Sequence, residues 1–131
     1  MIEGQTTVLF GEAEKGEYRM AYFCDSLPQL VDYLGNPPPE TRGLYYAIQT
    51  LLYHRPLVFF RVREEGFSAQ DYLAGLNLLE NQNVISNIAA IFIPGVGDSQ
   101  IIHAATPICN HYHSILVITE ADFYDYLSSK D

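Results

Sequence analysis

The segment Pro94-Gly-Val-Gly-Asp-Ser-Gln100 has the residue types of a ligand-binding loop. It follows an apolar run and precedes a helical pattern, a position where free backbone N–H groups can hold an anion. Gly95, Gly97, Asp98 and Ser99 are therefore candidate ligand or anion residues. A dinucleotide fingerprint needs a third glycine, a phosphate loop needs Gly-Lys-Ser or Gly-Lys-Thr, and Asp98 would repel a phosphate. A plain structural turn is the favoured interpretation.

A second group, Cys109, His111 and His113, combines a thiol with two imidazoles, which can bind zinc or copper. No second pair of ligands has the expected spacing, so ordinary histidines are favoured and no metal or cofactor is predicted. The other cysteine, Cys24, forms no C-x-x-C motif with Cys109, and both are expected to be buried free thiols. Without a Gly-x-Ser-x-Gly or His-Glu-x-x-His motif, no catalytic residue is assigned.

Charged residues near predicted strand ends form a third group. Arg61 and Arg63 alternate with Val62, and a buried arginine needs a partner, which either the same chain or a neighbouring subunit could supply. The loops at residues 64–68, 95–99 and 120 would meet at the carboxyl edge of a parallel sheet, where ligand sites collect. They define an alternative function as a small α/β enzyme or ligand-binding module.

Hydrophobic periodicity predicts the elements that position these residues. Short N-terminal strands are expected at 6–10 and 18–23, and a mainly parallel sheet at 57–63, 88–93 and 114–119. Helices are expected to start near Ser26, Thr41, Ser68 and Ser99, with a closing helix at 121–127. Asp71 stands where a capping box with Ser68 requires an acid, and Pro107 predicts a kink or an early break in the fourth helix. The alternation predicts one α/β domain over residues 1–131, with helices on both faces of the sheet.

Composition narrows the classes of partner. Sixteen acidic residues against seven Lys and Arg give a formal charge of −9, which repels nucleic acid and anionic lipid surfaces. The N-terminus lacks a basic region followed by an apolar stretch, and no apolar run has the length of a membrane span. A cytoplasmic protein is therefore expected, with neither nucleic acid nor membrane as a partner.

Taken in order, several segments resemble the central domain of contractile phage-tail sheath proteins, here in a reduced single-domain form. They are Phe10-Gly-Glu-Ala-Glu-Lys-Gly16, Cys24-Asp-Ser-Leu-Pro-Gln-Leu-Val-Asp-Tyr-Leu-Gly35, Tyr45-Tyr-Ala-Ile48, Phe60-Arg-Val-Arg63, Tyr72-Leu-Ala-Gly-Leu-Asn-Leu-Leu-Glu80 and Ile91-Phe-Ile-Pro-Gly95. The similarity spans roughly residues 6 to 120, and the order of the motifs carries it.

The resemblance implies a non-enzymatic structural protein that acts through protein–protein contacts. Its partners would be copies of itself or proteins of phage tails and secretion apparatus. Because tyrosine and arginine are enriched at interface centres, the candidate interface residues are Tyr18, Tyr22, Tyr45, Tyr46 and Arg63.

Overall fold

The computed structural model describes residues 6–81, 85, 87–119 and 121–122. Its elements are β1 (Thr6–Gly11), β2 (Ala21–Cys24), α1 (Leu27–Leu34), α2 (Gly43–Leu52), β3 (Leu57–Arg61), α3 (Ala69–Asn81), β4 (Ile88–Phe92), α4 (Ser99–Tyr112) and β5 (Ile115–Val117). The predicted α/β class is confirmed. Glu120 and most of the predicted closing helix at 121–127 lie outside the described residues.

The five described strands form one sheet in the order β2-β3-β1-β4-β5. β1 is parallel to both β3 and β4, and β4 is parallel to β5, whereas β2 runs antiparallel to β3. The strand at the centre is therefore β1, one of the two short strands predicted near the N-terminus. Val8, Leu9 and Phe10 of β1 are completely buried, as expected for a strand covered on both faces.

Helices cover the two faces of the sheet and form two cores. Leu30 of α1 and Leu44 of α2 pack in one core with Leu9. Tyr72 of α3 and Ile101 of α4 pack in the other, with Val8 and Phe10. Neighbouring residues of β1 serve opposite cores because strand side chains alternate between faces. The arrangement is the predicted three-layer domain.

Gly75 allows α3 to approach the sheet closely. A Cβ at this position would lie 2.5 Å from Cε2 of Phe10, a contact that real side chains do not make. The Phe10 ring stacks on both Phe60 and Tyr72, with ring centroids 4.9 and 5.3 Å apart. The lower helix propensity of glycine is thus offset by aromatic packing that a larger residue would prevent.

The ends of α1 agree with the sequence pattern, and those of α4 do not. Ser26 accepts a hydrogen bond from the backbone of Gln29, and Gly35 ends α1 with a φ of 77°. The N-cap of α4 is Asp98, which accepts from the Gln100 amide at 2.8 Å, so the prediction of Ser99 as the cap was wrong by one residue. The helix also continues through Pro107 to Tyr112 without breaking.

Four strands are shorter than predicted. β4 is one residue shorter and β5 three residues shorter, and the differences at β3 and β2 bear on the site. β3 ends at Arg61, so Arg63 lies beyond the strand. β2 begins at Ala21, and Tyr18 makes only an isolated bridge to Arg61. Both differences occur at the carboxyl edge of the parallel strands, where side-chain contacts replace the ladder of backbone hydrogen bonds.

Candidate functional site

The strand order reverses direction at β1. The chain passes from β1 to β3 on one side of it, then crosses to β4 on the other side. Open α/β sheets bind ligands beside such a reversal, at the carboxyl ends of the strands. Two clefts of about 410 Å³ each lie at this edge.

The first, which we call the carboxylate crevice, is lined by Glu12, Glu40, Thr41, Arg42, Glu64, Glu65, Phe67, Pro94 and Gly95. The carboxylate of Glu65 occupies the start of α2. Its Oε2 accepts from the Arg42 amide at 2.7 Å, and its Oε1 accepts from the amides of Gly43 and Glu12 at 3.0 and 3.1 Å. A helix N-terminus at this position would otherwise attract an external anion, because its first N–H groups lack partners.

Further contacts hold Glu65 in place. Its own amide donates to Oε2 of Glu12 at 3.0 Å, and the Gly66 amide donates to the Tyr72 hydroxyl at 2.6 Å. Burial raises the pKa of the Tyr72 phenol, so this hydroxyl stays neutral over the physiological range. The loop after β3 is therefore tied to β1 and to α3.

Two glycines make room for this carboxylate. A Cβ on Gly43 would lie 2.6 Å from Cα of Gly11 and 2.9 Å from Oε1 of Glu65. A Cβ on Gly11 would meet the same two neighbours, at 2.7 Å from Cα of Gly43 and 2.9 Å from Oε1. The start of α2 can sit directly on the end of β1 because neither residue carries a side chain.

The predicted loop at 95–99 contributes only partly to this site. Gly95 lines the carboxylate crevice and has a φ of 79°, which favours glycine. Gly97, Asp98 and Ser99 are exposed and do not line it. Because the side chain of Asp98 already caps α4, it places a negative charge at the helix start, where an anion would have to bind. Of the four candidate residues, Gly95 is thus the one that lines the carboxylate crevice.

The second cleft, which we call the arginine cleft, is lined by Glu12, Ala13, Glu14, Tyr18, Asn36, Pro37, Pro38, Pro39, Arg61, Val62 and Arg63. The guanidinium carbons of Arg61 and Arg63 lie 4.5 and 4.4 Å from the ring centroid of Tyr18. Both distances are within the range of cation–π interactions. The isolated bridge between Tyr18 and Arg61 holds the ring at the end of β3.

Asp71 neutralises one of these two arginines. Its side chain is 1 % exposed, and its Oδ1 accepts from Nη1 of Arg63 at 2.8 Å and from Nε of Arg19 at 3.3 Å. Its Oδ2 accepts from the Arg63 amide at 2.9 Å. For Arg63, the partner is thus an acid of the same chain. The predicted capping-box role of Asp71 was wrong, because its oxygens face these arginines.

The five candidate interface residues differ in their exposure. Tyr45 is 49 % exposed, and the side chain of Arg63 is 57 % exposed. Tyr18 and Tyr22 are half-buried. Tyr46 is only 2 % exposed and belongs to the core beneath α2, so it is not a surface residue of the folded chain.

Sequence reasoning missed Glu12, Met20 and Phe23, and it gave neither Glu65 nor Asp71 the contacts that the structure shows. The hydrogen bonds of Glu65 reach residues 22 to 53 positions away in the chain, so no local sequence pattern predicts them. For Phe23 the sequence gives only a weak signal. It belongs to a short strand, and its side chain would be buried if that strand lay at the centre of the sheet.

Both cysteines are free and buried, as predicted. Burial raises the pKa of each thiol to about 11, and the charge of Asp25 adds to this effect at Cys24. In the described part of the chain, no three His, Cys, Asp or Glu side chains are grouped so as to hold a metal ion. Nor does any helix described here combine the length and apolar character needed to cross a bilayer.

When the chain is compared with known proteins, no family model, no curated protein and no solved structure matches it. Its own residues and contacts are therefore the basis on which function is inferred.

Proposed function

We propose that this chain is a non-enzymatic structural protein of the cytoplasm that assembles through protein–protein contacts, in the manner of the central domain of contractile-tail sheath proteins. Its partners are copies of itself or proteins of a phage-tail or secretion-apparatus type. The resemblance in motif order suggested this class. Two structural observations support it, and the exposed edge of the sheet carries it.

The edge at β2 has the character of a contact surface. β2 ends the sheet and pairs with β3 on one side, and no other described strand covers its second side. Phe23 is 52 % exposed and Met20 is 48 % exposed. On the opposite face, the ring of Tyr22 contacts exposed Tyr33 with centroids 5.3 Å apart. A strand with one open edge, flanked by exposed apolar side chains, can receive another chain.

The occupied backbone amides beside the carboxylate crevice support a structural function rather than a catalytic one. An enzyme of this architecture would keep the amides beside the strand reversal available for its substrate. Here the Arg42 and Gly43 amides already bind Glu65. The amide of Glu12 is engaged by the same carboxylate. The chain uses this anion-binding position to hold its own loops together.

The test is the solution mass, measured by light scattering over a wide concentration range. The wild-type chain is expected to form concentration-dependent oligomers, and Phe23→Lys is expected to remain monomeric because it places a charge on the β2 edge. Phe67→Lys is the matched control: Phe67 is 74 % exposed but belongs to the loop after β3. A wild-type chain that stays monomeric at every concentration would refute self-association.

The alternative, a small α/β enzyme or ligand-binding module using loops 64–68, 95–99 and 120, is favoured by one observation. The carboxylate crevice is an open cavity at the strand reversal, and both the 64–68 loop and Gly95 line it. A screen of small molecules by protein NMR would support this alternative if saturable shifts appeared at Glu64, Gly66 and Gly95. Shifts confined to the β2 edge on raising protein concentration would support assembly instead.

A further inference from the structure

Arg61 is a half-buried cation at the end of β3. Among the described residues, no acidic side chain forms a salt bridge with it, whereas Arg19 and Arg63 both pair with Asp71. Its Nη1 donates to the Gly16 carbonyl at 2.6 Å, and its Nε is enclosed without an acceptor. An anion would neutralise this partly buried charge, and the described residues supply none in contact with Arg61.

The surroundings of Arg61 are built before any ligand arrives. Glu14 and Lys15 both donate their amides to the Leu34 carbonyl, at 3.0 and 3.1 Å. Oε1 of Glu14 accepts from the Asn36 amide at 2.9 Å. These contacts tie the loop after β1 to the Pro37–Pro39 segment, where each proline fixes its own φ. A preformed wall lowers the entropy cost of binding.

The lining of the arginine cleft specifies the class of anion. Arg61 offers Nη2 and the second hydrogen of Nη1, an arrangement that suits the two oxygens of a carboxylate. The prolines and the Tyr18 ring offer apolar contact to the carbon atoms behind it. Glu12 and Glu14 also line the cleft, and their negative charge disfavours a dianion more strongly than a monoanion.

We propose that the arginine cleft is a binding site for a single carboxylate group, held by Arg61 and packed against Tyr18 and the Pro37–Pro39 wall. The carboxylate belongs either to a small organic acid or to an Asp, Glu or C-terminal group of a second copy of this chain. Binding of a carboxylate at this site does not require self-association. It can therefore be tested on the monomer with a free carboxylate.

Sodium acetate is the probe, followed by amide shifts in two-dimensional NMR at constant ionic strength maintained with chloride. Saturable shifts are expected at Gly16, Tyr18 and Arg61. In Arg61→Gln the affinity for acetate should fall roughly tenfold or more, because a charge-assisted pair of hydrogen bonds is lost. Arg61→Lys should fall between the two, since it retains the charge without the planar fork.

Lys15→Gln is the matched control, because it removes the same charge from an exposed neighbour that does not line the cleft. Its acetate affinity should equal that of the wild type. The amide spectrum of each variant also shows whether it is folded. Shifts that persist in Arg61→Gln, or that chloride alone reproduces, would overturn the proposal. Tighter binding of sulfate than of acetate would overturn the assignment to a carboxylate.

The source of the carboxylate is settled by light scattering of Arg61→Gln. Loss of both acetate binding and oligomers supports a carboxylate from a second copy of the chain. Loss of acetate binding with oligomers unchanged supports a small organic acid. Failure of Phe23→Lys to disrupt oligomers would count against the β2 edge alone and would leave the acetate result intact.

Discussion

The carboxylate crevice and the arginine cleft are neighbours of similar size, but they differ in whether their polar groups have partners. Each has a volume of about 410 Å³, each lies at the carboxyl edge of the parallel strands, and Glu12 lines both. In the crevice, three backbone amides are satisfied by Glu65. In the cleft, Arg61 has no acidic partner among the described residues. The crevice and the cleft therefore share their position in the fold and differ in whether their polar groups have partners.

The difference shows how a fold can reuse a ligand-binding position for stability. Glu65 provides the negative charge that a helix N-terminus attracts, and so closes the loops of β1, α2 and β3 around it. Asp71 has a similar function between α3 and the end of β3, where it binds Arg63 through both side-chain oxygens. These acids should be important for folding, whereas Arg61 should be important mainly for binding.

The largest effect is expected at Asp71. Asp71→Asn removes the negative charge of Asp71, whose side chain is 1 % exposed. Arg19 and Arg63 then lose this acid as a partner. The free energy of unfolding should fall by about 3 kcal/mol, the upper end of the range for hydrogen bonds to a charged group, because the exposed arginines stay hydrated while the buried oxygens of residue 71 lose bonding strength. Urea denaturation followed by circular dichroism measures this. A loss within about 0.5 kcal/mol, typical of surface substitutions, would mean that the ion pair adds nothing to stability.

The next effect is expected at Glu65. Glu65→Gln removes the charge and turns one acceptor into a donor, so one of the amides at the start of α2 loses its acceptor. The expected loss is about 2 kcal/mol, measured in the same denaturation experiment. Glu64→Gln is the control, because Glu64 is exposed and uses only its backbone in hydrogen bonds. Equal losses of unfolding free energy in the two variants would show that the Glu65 carboxylate does not hold the loops around the crevice together.

A smaller effect on stability is expected at Arg61. Arg61→Gln loses a hydrogen bond to Gly16 and a contact with Tyr18, but it also removes a cation that has no acid partner within the described part of the chain. The two contributions oppose each other, so the change should stay within about 1 kcal/mol. A loss as large as that of Glu65→Gln, measured side by side, would make Arg61 a structural residue and remove the contrast between the two regions.

The smallest effect concerns the thiols, which lie in the cores and outside both regions. Burial raises the pKa of Cys24 and Cys109 from 9.0 to about 11. The folded state therefore keeps protons that the unfolded state releases, and the free energy of unfolding should decrease between pH 9 and 11. At pH 9 the loss should be under about 1 kcal/mol for each thiol. Denaturation of the Cys24→Ala variant should show a weaker decrease with pH, and an unchanged pH profile would contradict the assignment.

Much of the fold could be predicted because its signals are local. Ser26 and Gly35 mark the ends of α1, and the apolar run at 88–93 marks a strand that is buried on both faces. The errors arose where a local rule competed with a distant contact. Asp71 fits a capping box by its spacing from Ser68, yet the arginines offered its buried carboxylate stronger hydrogen bonds.

The candidate site could be predicted less well. The loop at 95–99 has the composition of a ligand site, but Asp98 fills its own helix N-terminus. The arginines at 61 and 63 were recognised as needing partners, and which of them finds one depends on where α3 lies. Glu65 had no recognisable motif, because its function depends on the contact between Gly11 and Gly43, which are 32 positions apart in the chain.

Residue type and periodicity thus specified the alternation of strands and helices, the two-sided burial of the sheet, the free thiols and the excess of negative charge, since each of these depends on neighbours within a few positions. Among the residues that the structure describes, only tertiary structure placed β1 at the centre of the sheet and β2 at its edge, gave Arg63 an acid partner and gave Arg61 none. These outcomes depend on which distant groups share a low-dielectric space, where an unpaired charge costs far more than in water.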